Sequence, residues 1–171
     1  MKKELLLWFS KSSVSYPWRG ECDPYKVWVS EIMLQQTQAQ TVIPYYNKWI
    51  KMFPNIKSVA KSDLMDILKQ WEGLGYYARA RNFHRACKIV QSKFCGKIPN
   101  DHNFILLPGV GEYIDAAVRS ICFNVPLPVI DANVKRIMSR FLQLPMVNVN
   151  DVRIATTYLA QKSTGVSCGA G

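Results

Sequence analysis

The sequence lacks a long hydrophobic run, although 49% of its 171 residues are hydrophobic. No stretch approaches the roughly 18 consecutive apolar residues that a membrane-spanning helix requires. The N-terminal segment MKKELLLWFSK has an apolar patch, but the patch is short, the segment contains Glu4, and no small-residue cleavage site of a signal peptide follows. We therefore expect an intracellular protein with no membrane partner.

Paired cysteines are lacking as well. Cys22, Cys87, Cys95, Cys122 and Cys168 are an odd set of five, and no two of them form a C-x-x-C pair. Disulfide frameworks and structural zinc sites both depend on paired cysteines. We expect reduced thiols and no metal site.

Acidic residues are few, because 12 Asp and Glu face 22 Lys and Arg and leave a net charge of +10. A basic surface binds polyanions such as nucleic acids, since binding releases condensed counterions. Charge alone does not identify such a partner, because many basic proteins bind no nucleic acid. Within 73–94 the basic residues fall largely on the face opposite the apolar one: Arg79, Arg81, Arg85 and Lys88.

No alternating strand pattern occurs between Pro24 and Leu144, and helical periodicity dominates instead. Asp23 followed by Pro24 predicts the start of a helix that runs towards Gln38. Ser62 is predicted to cap a later helix. The predicted helices cover 24–38, 41–53, 63–71, 73–94 after its glycine turn, 101–107, 111–123, 131–144 and 151–162. The sequence therefore predicts an all-α fold, in one domain or two closely packed lobes.

An acid, Glu31, lies on the apolar face of the first of these helices. Its neighbours at helical spacing are Val27, Trp28, Leu34 and Gln35. Burial raises the pKa of a carboxyl group towards the range in which it donates a proton near neutral pH. The alternative is a buried structural acid paired with an arginine such as Arg19.

The segment LPGVG, Leu107 to Gly111, separates two predicted helices. Its two glycines allow a sharp turn and close approach of the backbone to a ligand. The amides at the start of the following helix suit a phosphate. An ordinary helix-helix turn is the alternative.

Asp131 stands immediately before the predicted helix 131–144, at its N-cap. The helix amides and dipole favour a carboxylate at this position, so Asp131 can cap the helix and also act as an anion. The apolar residues of this helix are predicted to point inward: Val134, Ile137, Met138, Phe141 and Leu142.

Taken together, four motifs make the chain closely resemble the MutY-type adenine DNA glycosylases of the helix-hairpin-helix glycosylase superfamily. They are YPWRGECDPYKVWVSEIMLQQTQAQTVIPYY, WEGLGYYARARNFHRA, LPGVGEYIDAAV and PVIDANVKRI, and they cover most of Tyr16 to Arg140. The resemblance implies a two-lobed helix-hairpin-helix fold with a DNA-binding cleft between the lobes. Residues 25–130 would form a six-helix lobe that contains the hairpin, and 1–24 with 131–171 the second lobe.

The resemblance also implies a function in base excision repair. The enzyme would be a monomer that flips adenine, mispaired with 8-oxoguanine or guanine, out of double-stranded DNA and hydrolyses its glycosidic bond. In bacteria it would act in the cytoplasm or nucleoid. The positions implied to contact DNA are Gln35, Gln36 and Tyr76 at the lesion, the hairpin residues Leu107, Gly109, Val110 and Gly111, and Lys135 on a phosphate.

The catalytic positions of the family fall on Glu31, Asp131 and Tyr113. A protonated Glu31 would donate to N7 of adenine, and an ionised Asp131 would stabilise the oxocarbenium-like sugar by charge or by a transient covalent bond. Lyase relatives resembling endonuclease III carry a lysine where this chain has Tyr113, so we expect a monofunctional glycosylase.

Two departures from the family pattern keep alternatives open. The chain lacks the four cysteines of the usual iron-sulfur cluster and the C-terminal domain that recognises 8-oxoguanine; Cys168 alone cannot hold a cluster, so no cofactor is expected in this chain. The segment from Asp131 to Asn133 reads DAN where adenine enzymes commonly have DGN, as in relatives that excise thymine from G·T mismatches. A thymine glycosylase and a non-catalytic DNA-binding module are therefore the alternatives.

Overall fold

The computed structural model describes residues 15–143 and, before them, residues 4, 7, 8 and 11. Over 15–143 the chain contains helices and turns but no strand, which confirms the all-α prediction. In these residues no helix is both long enough and apolar enough to span a membrane. The helices are α1 (Pro24–Leu34), α2 (Ala39–Met52), α3 (Ile56–Lys61), α4 (Leu64–Trp71), α5 (Ala78–Lys93), α6 (Glu112–Phe123) and α7 (Ala132–Leu142).

Helix α1 begins as predicted but ends earlier. The Asp23 carboxylate accepts a hydrogen bond of 2.9 Å from the Tyr25 N–H, and Pro24 occupies the first helical turn. The helix ends at Leu34 and not near Gln38, because the backbone at Gln35 leaves the helical region (φ −58°, ψ 115°). The last turn therefore has carbonyl groups that need hydrogen-bond donors from elsewhere in the fold.

Two local predictions were wrong, and one helix was missed. Ser62 does not cap α4; its hydroxyl donates to the Ser58 carbonyl at the end of α3, and Asp63 precedes α4. Helix α3 was not predicted, although Asn55 and Ser58 form a capping box at its start. Residues 101–107 form successive turns and not an α-helix: the Leu107 N–H, for example, donates to the Phe104 carbonyl. Pro108 disfavours helical geometry in the residue before it.

Helix α1 packs against a core of large aromatic side chains. Trp28 of α1 contacts Phe83 of α5 and Phe104 edge to face, at centroid distances of 4.9 and 5.1 Å. Trp49 and Trp71 meet at 5.4 Å on the other side of the core. Each buried ring contributes about 1.5–3 kcal/mol to the free energy of unfolding, so the helix that carries Glu31 has a rigid support.

Helix α7 departs from its predicted packing. Met138 is buried, but Ile137 and Phe141 are 60% and 56% exposed, so the prediction that these two point inward was wrong. An apolar stripe is buried only where another element covers it, and the described residues cover α7 mainly at Met138. The predicted helix at 151–162 and Cys168 lie outside the described residues, and the division into two lobes stays a prediction.

Candidate active site

Glu31 lies on α1 with its side chain partly buried, as its position on the apolar face predicts. Burial raises the pKa of its carboxyl group, and the negative charge of Asp131 raises it further. A hydrogen bond from the Tyr113 hydroxyl acts in the opposite direction. Glu31 Oε2 is buried and has no hydrogen-bond partner among the described residues. The site thus stabilises the protonated form of Glu31 relative to a carboxyl group in water, and it leaves one carboxyl oxygen without a partner among the described residues.

Tyr113 is the second residue of α6, directly after the hairpin, and α6 packs against α1. Burial raises the pKa of its hydroxyl, and the charges of Glu31 and Asp131 and the hydrogen bond to Glu31 raise it further. Tyr113 therefore remains a neutral hydrogen-bond donor to Glu31. It cannot serve as an anionic nucleophile near neutral pH.

Asp131 caps the N-terminus of α7, as predicted. Its Oδ1 accepts a hydrogen bond of 2.7 Å from the Val134 N–H, and its Oδ2 accepts one of 3.0 Å from the Asn133 side chain. Both oxygens are thus oriented by donors, at the positive end of the helix dipole. The negative charge of Asp131 raises the pKa of Glu31, so the two carboxyl groups lie close enough to interact.

A cleft of about 630 Å³ brings most of the predicted site residues together. A second cavity of about 350 Å³ also borders Glu31, and Trp18, Val27 and Ser30 contribute to its walls. Glu31 thus lines two cavities, and of these two Asp131 borders only the larger. The predicted residues that line the larger cleft are Glu31, Gln35, Gln36, Tyr76, Tyr113 and Asp131.

Gln36 and Tyr76 have left-handed backbone conformations, with φ of 55° and 49°. Such values are uncommon for residues other than glycine and cost about 1–2 kcal/mol, so the surrounding structure must impose them. The side chain of Tyr76 is also 58% exposed. Strain and exposure coincide at two positions that the sequence assigned to DNA contact.

The hairpin residues predicted to contact DNA include buried side chains and exposed glycines. Leu107 and Val110 are 4% and 7% exposed and anchor the turn in the core, so only their backbone is available to a ligand. Gly109 has φ +79°, and a Cβ there would lie 2.9 Å from the Cβ of Asn82, so only glycine fits. Gly111 is exposed, and nothing lies within 4 Å of a Cβ built on it.

Lys135 lies away from the main cleft. It is exposed on α7 and borders a separate cavity of about 580 Å³, which Tyr113 and Ile130 also line. Tyr113 therefore contacts both spaces, while Lys135 contacts only one. A phosphate contact on this exposed face remains a prediction.

Two further predictions concern groups around the site. Burial, the Tyr113 hydroxyl and the charge of Asp131 account for the shift in the pKa of Glu31, and no arginine is among these causes, so the shift gives no support to the structural ion pair with Arg19. Over the described residues no group of three or more His, Cys, Asp and Glu side chains could hold a metal ion. The expectation that this chain has no cofactor stays a prediction.

One residue of the site was assigned differently by the sequence. Arg79 was placed on the polar face of a helix, but its guanidinium group turns towards the end of α1 and lines the main cleft. The sequence gives only a weak signal for the position of Arg79 in the cleft, because Arg79 is one of several basic residues on the same helix. Its partners are 4 to 47 residues away along the chain.

Comparison with known proteins identifies the family of this chain. The sequence model of the HhH-GPD superfamily base excision DNA repair proteins matches residues 29–156. The adenine DNA glycosylase of Buchnera aphidicola subsp. Baizongia pistaciae is 48% identical over 136 residues, which are 79% of this chain and 38% of that protein. The human adenine DNA glycosylase is 38% identical over 146 residues, 80% of this chain and 27% of that protein. The chain thus spans well under half of these relatives' length.

Solved structures share the fold. A thermostable thymine-DNA glycosylase superposes with a TM-score of 0.83 at 23% identity, covering 98% of this chain and 85% of that chain. A trapped endonuclease III-DNA covalent intermediate gives a TM-score of 0.76 at 21% identity, covering 89% of this chain and 71% of that chain. With most of its length matched by the family model, this chain is a member of the HhH-GPD superfamily of base excision DNA repair proteins.

Proposed function

We propose that this chain is a monofunctional DNA glycosylase that releases adenine mispaired with 8-oxoguanine or guanine. The observation that carries the proposal is the arrangement of Glu31 and Asp131. One is a partly buried acid with a raised pKa, the other a carboxylate oriented by helix amides, and both border one cleft. The relatives named adenine DNA glycosylase support adenine as the base.

The reaction assigns a separate task to each carboxyl group. Glu31 donates its proton to N7 of adenine, the C1′–N9 bond breaks, and its electron pair leaves with the neutral base. Asp131 stabilises the positive charge that develops on the sugar. Water then adds to C1′ and loses a proton, which leaves an abasic site. The hydrogen bond from Tyr113 stabilises the Glu31 carboxylate that the first step produces.

The two cavities around Glu31 suggest where the parts of the nucleotide bind. We assign the base to the space of about 350 Å³, where Trp18 offers an aromatic surface and Glu31 a proton. The sugar would then lie in the larger cleft beside Asp131. The unpartnered Oε2 of Glu31 is the oxygen that we assign to the transferable proton.

Double-stranded DNA is the proposed partner, bound by a monomer. The net charge of +10 supplies attraction to the phosphates, and the exposed Gly109 and Gly111 leave room for close backbone approach. Gln35, Gln36 and Tyr76 line the open side of the cleft, where they could occupy the space left by the extruded base. An enzyme of genomic DNA would act in the compartment that holds the chromosome.

The absence of an amine at the hairpin supports hydrolysis without strand cleavage. A lyase needs a primary amine to attack C1′ and form an imine. Tyr113 occupies the position where lyase relatives have lysine, and its neutral hydroxyl cannot form that imine. Lys135, on the following helix, is the nearest candidate for a substitute.

A single-turnover assay with protein in excess tests the proposal. Duplexes that contain A·8-oxoguanine, A·G or G·T are incubated with the chain, and abasic sites are counted after treatment with hot alkali. Glu31→Gln is compared with Glu72→Gln, which removes the charge of an exposed residue that does not line the cleft. We expect abasic sites opposite 8-oxoguanine and guanine, lost only in Glu31→Gln. Cleavage of G·T alone would favour the thymine glycosylase, and binding without any cleavage the non-catalytic module.

A further inference from the structure

Arg79 holds two separate segments of the cleft wall. Its Nη1 donates to the carbonyl oxygens of Ile32 and Met33, at 3.0 and 2.9 Å, and to that of Gln35. Its Nη2 donates to the carbonyl of Gly75 at 3.2 Å, and more weakly to other groups on both sides. One guanidinium group therefore binds the end of α1 and the turn before α5 at the same time.

The contacts of Arg79 provide hydrogen-bond donors to the unpaired carbonyl groups at the end of α1. A helix leaves its last four carbonyl groups without partners inside the helix, and the negative end of its dipole attracts a cation. Helix α1 has no basic residue in its last turn. Arg79 supplies both the charge and the donors from α5, a distant part of the sequence.

The same guanidinium group also contacts the aromatic side of the turn. Its carbon lies 5.2 Å from the ring centre of Tyr76 and 5.5 Å from that of Trp71. The Trp71 indole N–H donates to the Gly75 carbonyl at 3.0 Å, so the turn is fixed from two directions. The backbone of Arg79 contributes as well, because its N–H donates to the Tyr76 carbonyl at 2.9 Å.

The segments that Arg79 joins contain the two strained positions of the cleft, Gln36 and Tyr76. We propose that Arg79 is a positioning residue that fixes these two side chains relative to each other, so that they enter the duplex as one rigid unit. The inference rests on the proposed glycosylase function. Arg79 itself does not touch the reacting atoms; it sets the geometry of the residues that hold the DNA open.

Arg79→Lys is the variant that tests the proposal, because lysine keeps the charge but not the planar fork of donors. The matched control is Arg81→Lys, an exposed arginine on the same helix. We expect Arg79→Lys to lower the single-turnover excision rate on A·8-oxoguanine on the order of 10- to 100-fold, since small displacements of positioning groups have effects of this size. Affinity for undamaged duplex should change less than about twofold, because the phosphate contacts are retained.

Hydrogen exchange of the free protein supplies a measurement that needs no catalysis. In Arg79→Lys the amides of 35–37 and 74–77 should exchange faster together, while the core amides of α2 and the melting temperature stay near wild type. An unchanged excision rate would overturn the proposal. So would failure to fold, or a parallel loss of melting temperature, duplex affinity and rate, because each would make Arg79 a general stability residue.

The outcomes for Arg79 and for the proposed function can be separated. If the wild-type chain releases no base from any duplex, the glycosylase assignment fails. Loss of discrimination between mispaired and undamaged duplex binding in Arg79→Lys, together with faster exchange in both segments, would then still support the positioning role. Unchanged exchange in either segment would overturn it.

Discussion

Replacing Glu31 by glutamine removes the proposed proton donor and leaves the shape of the side chain almost unchanged. Glutamine has no acidic proton to transfer, so adenine would have to leave without protonation at N7. General acid catalysis contributes about 10²- to 10⁴-fold to a rate. We therefore expect Glu31→Gln to reduce single-turnover excision by on the order of 10³-fold, with duplex affinity nearly intact.

The same substitution should make the protein more stable near neutral pH. Burial raises the pKa of Glu31 above its ordinary value of 4.5, so the folded chain keeps this proton at pH values where the unfolded chain has lost it. The free energy of unfolding of the wild type therefore falls as pH rises through this window, and Glu31→Gln removes the loss. We expect the stability difference to be similar in size to the cost of an unsatisfied buried polar group, which is about 1–3 kcal/mol. In a chain of this size about 1 kcal/mol corresponds to roughly 2–4 °C in melting temperature.

Two measurements on one preparation check both expectations. Excision is followed by quenched single-turnover kinetics, and melting by circular dichroism from pH 4 upwards in about one-unit steps. The melting difference between Glu31→Gln and wild type should be small below the ordinary glutamate pKa and grow as pH rises, while the wild-type rate falls once Glu31 ionises. Excision by Glu31→Gln within about tenfold of wild type would refute the assigned role.

Four further predictions follow from the same geometry. Asp131→Asn should stop excision with little change in melting temperature, because asparagine remains a good N-cap but carries no charge; loss of folding with normal specific activity in the remaining protein would contradict this. Duplex affinity should fall on the order of 100-fold or more between about 50 and about 200 mM salt if about five phosphates are neutralised, and a flat response would place the basic charge elsewhere. Glu112→Gln should raise duplex affinity about two- to fivefold at low salt, because Glu112 is an exposed acid in the first turn of α6, beside the proposed phosphate contact; unchanged affinity would argue against phosphate binding there. The product strand should stay intact until hot alkali is added, and borohydride should trap no covalent complex; a trapped complex would direct attention to Lys135.

Local sequence patterns predicted the parts of the site that depend on a single helix. Glu31 has apolar neighbours one turn away in both directions, so its burial follows from helical spacing alone. Asp131 precedes a helix, and its capping hydrogen bond to Val134 depends only on residues three positions apart. The glycines of LPGVG predicted a sharp turn, and Gly109 has the positive φ that such a turn requires.

Features that depend on distant residues could not be predicted in this way. The end of α1 at Leu34 is stabilised by Arg79, and neither residue signals the other in the sequence. Gln36 and Tyr76 have left-handed backbone conformations, but they are neither glycine nor asparagine, the residue types that would predict such a conformation. Whether Phe141 is covered depends on which element packs against α7, and a helical pattern shows the apolar stripe without showing its partner.

Identification of the released base distinguishes adenine excision from its alternatives. The chain is incubated, in excess, with A·8-oxoguanine, A·G, G·T and A·T duplexes in separate reactions, and the free bases of each are identified by mass spectrometry. We predict adenine from the mispaired duplexes, in step with the formation of abasic sites, and no base from A·T; Glu31→Gln should release none. Release of thymine from G·T without adenine, or equal release of adenine from A·T, would contradict this prediction.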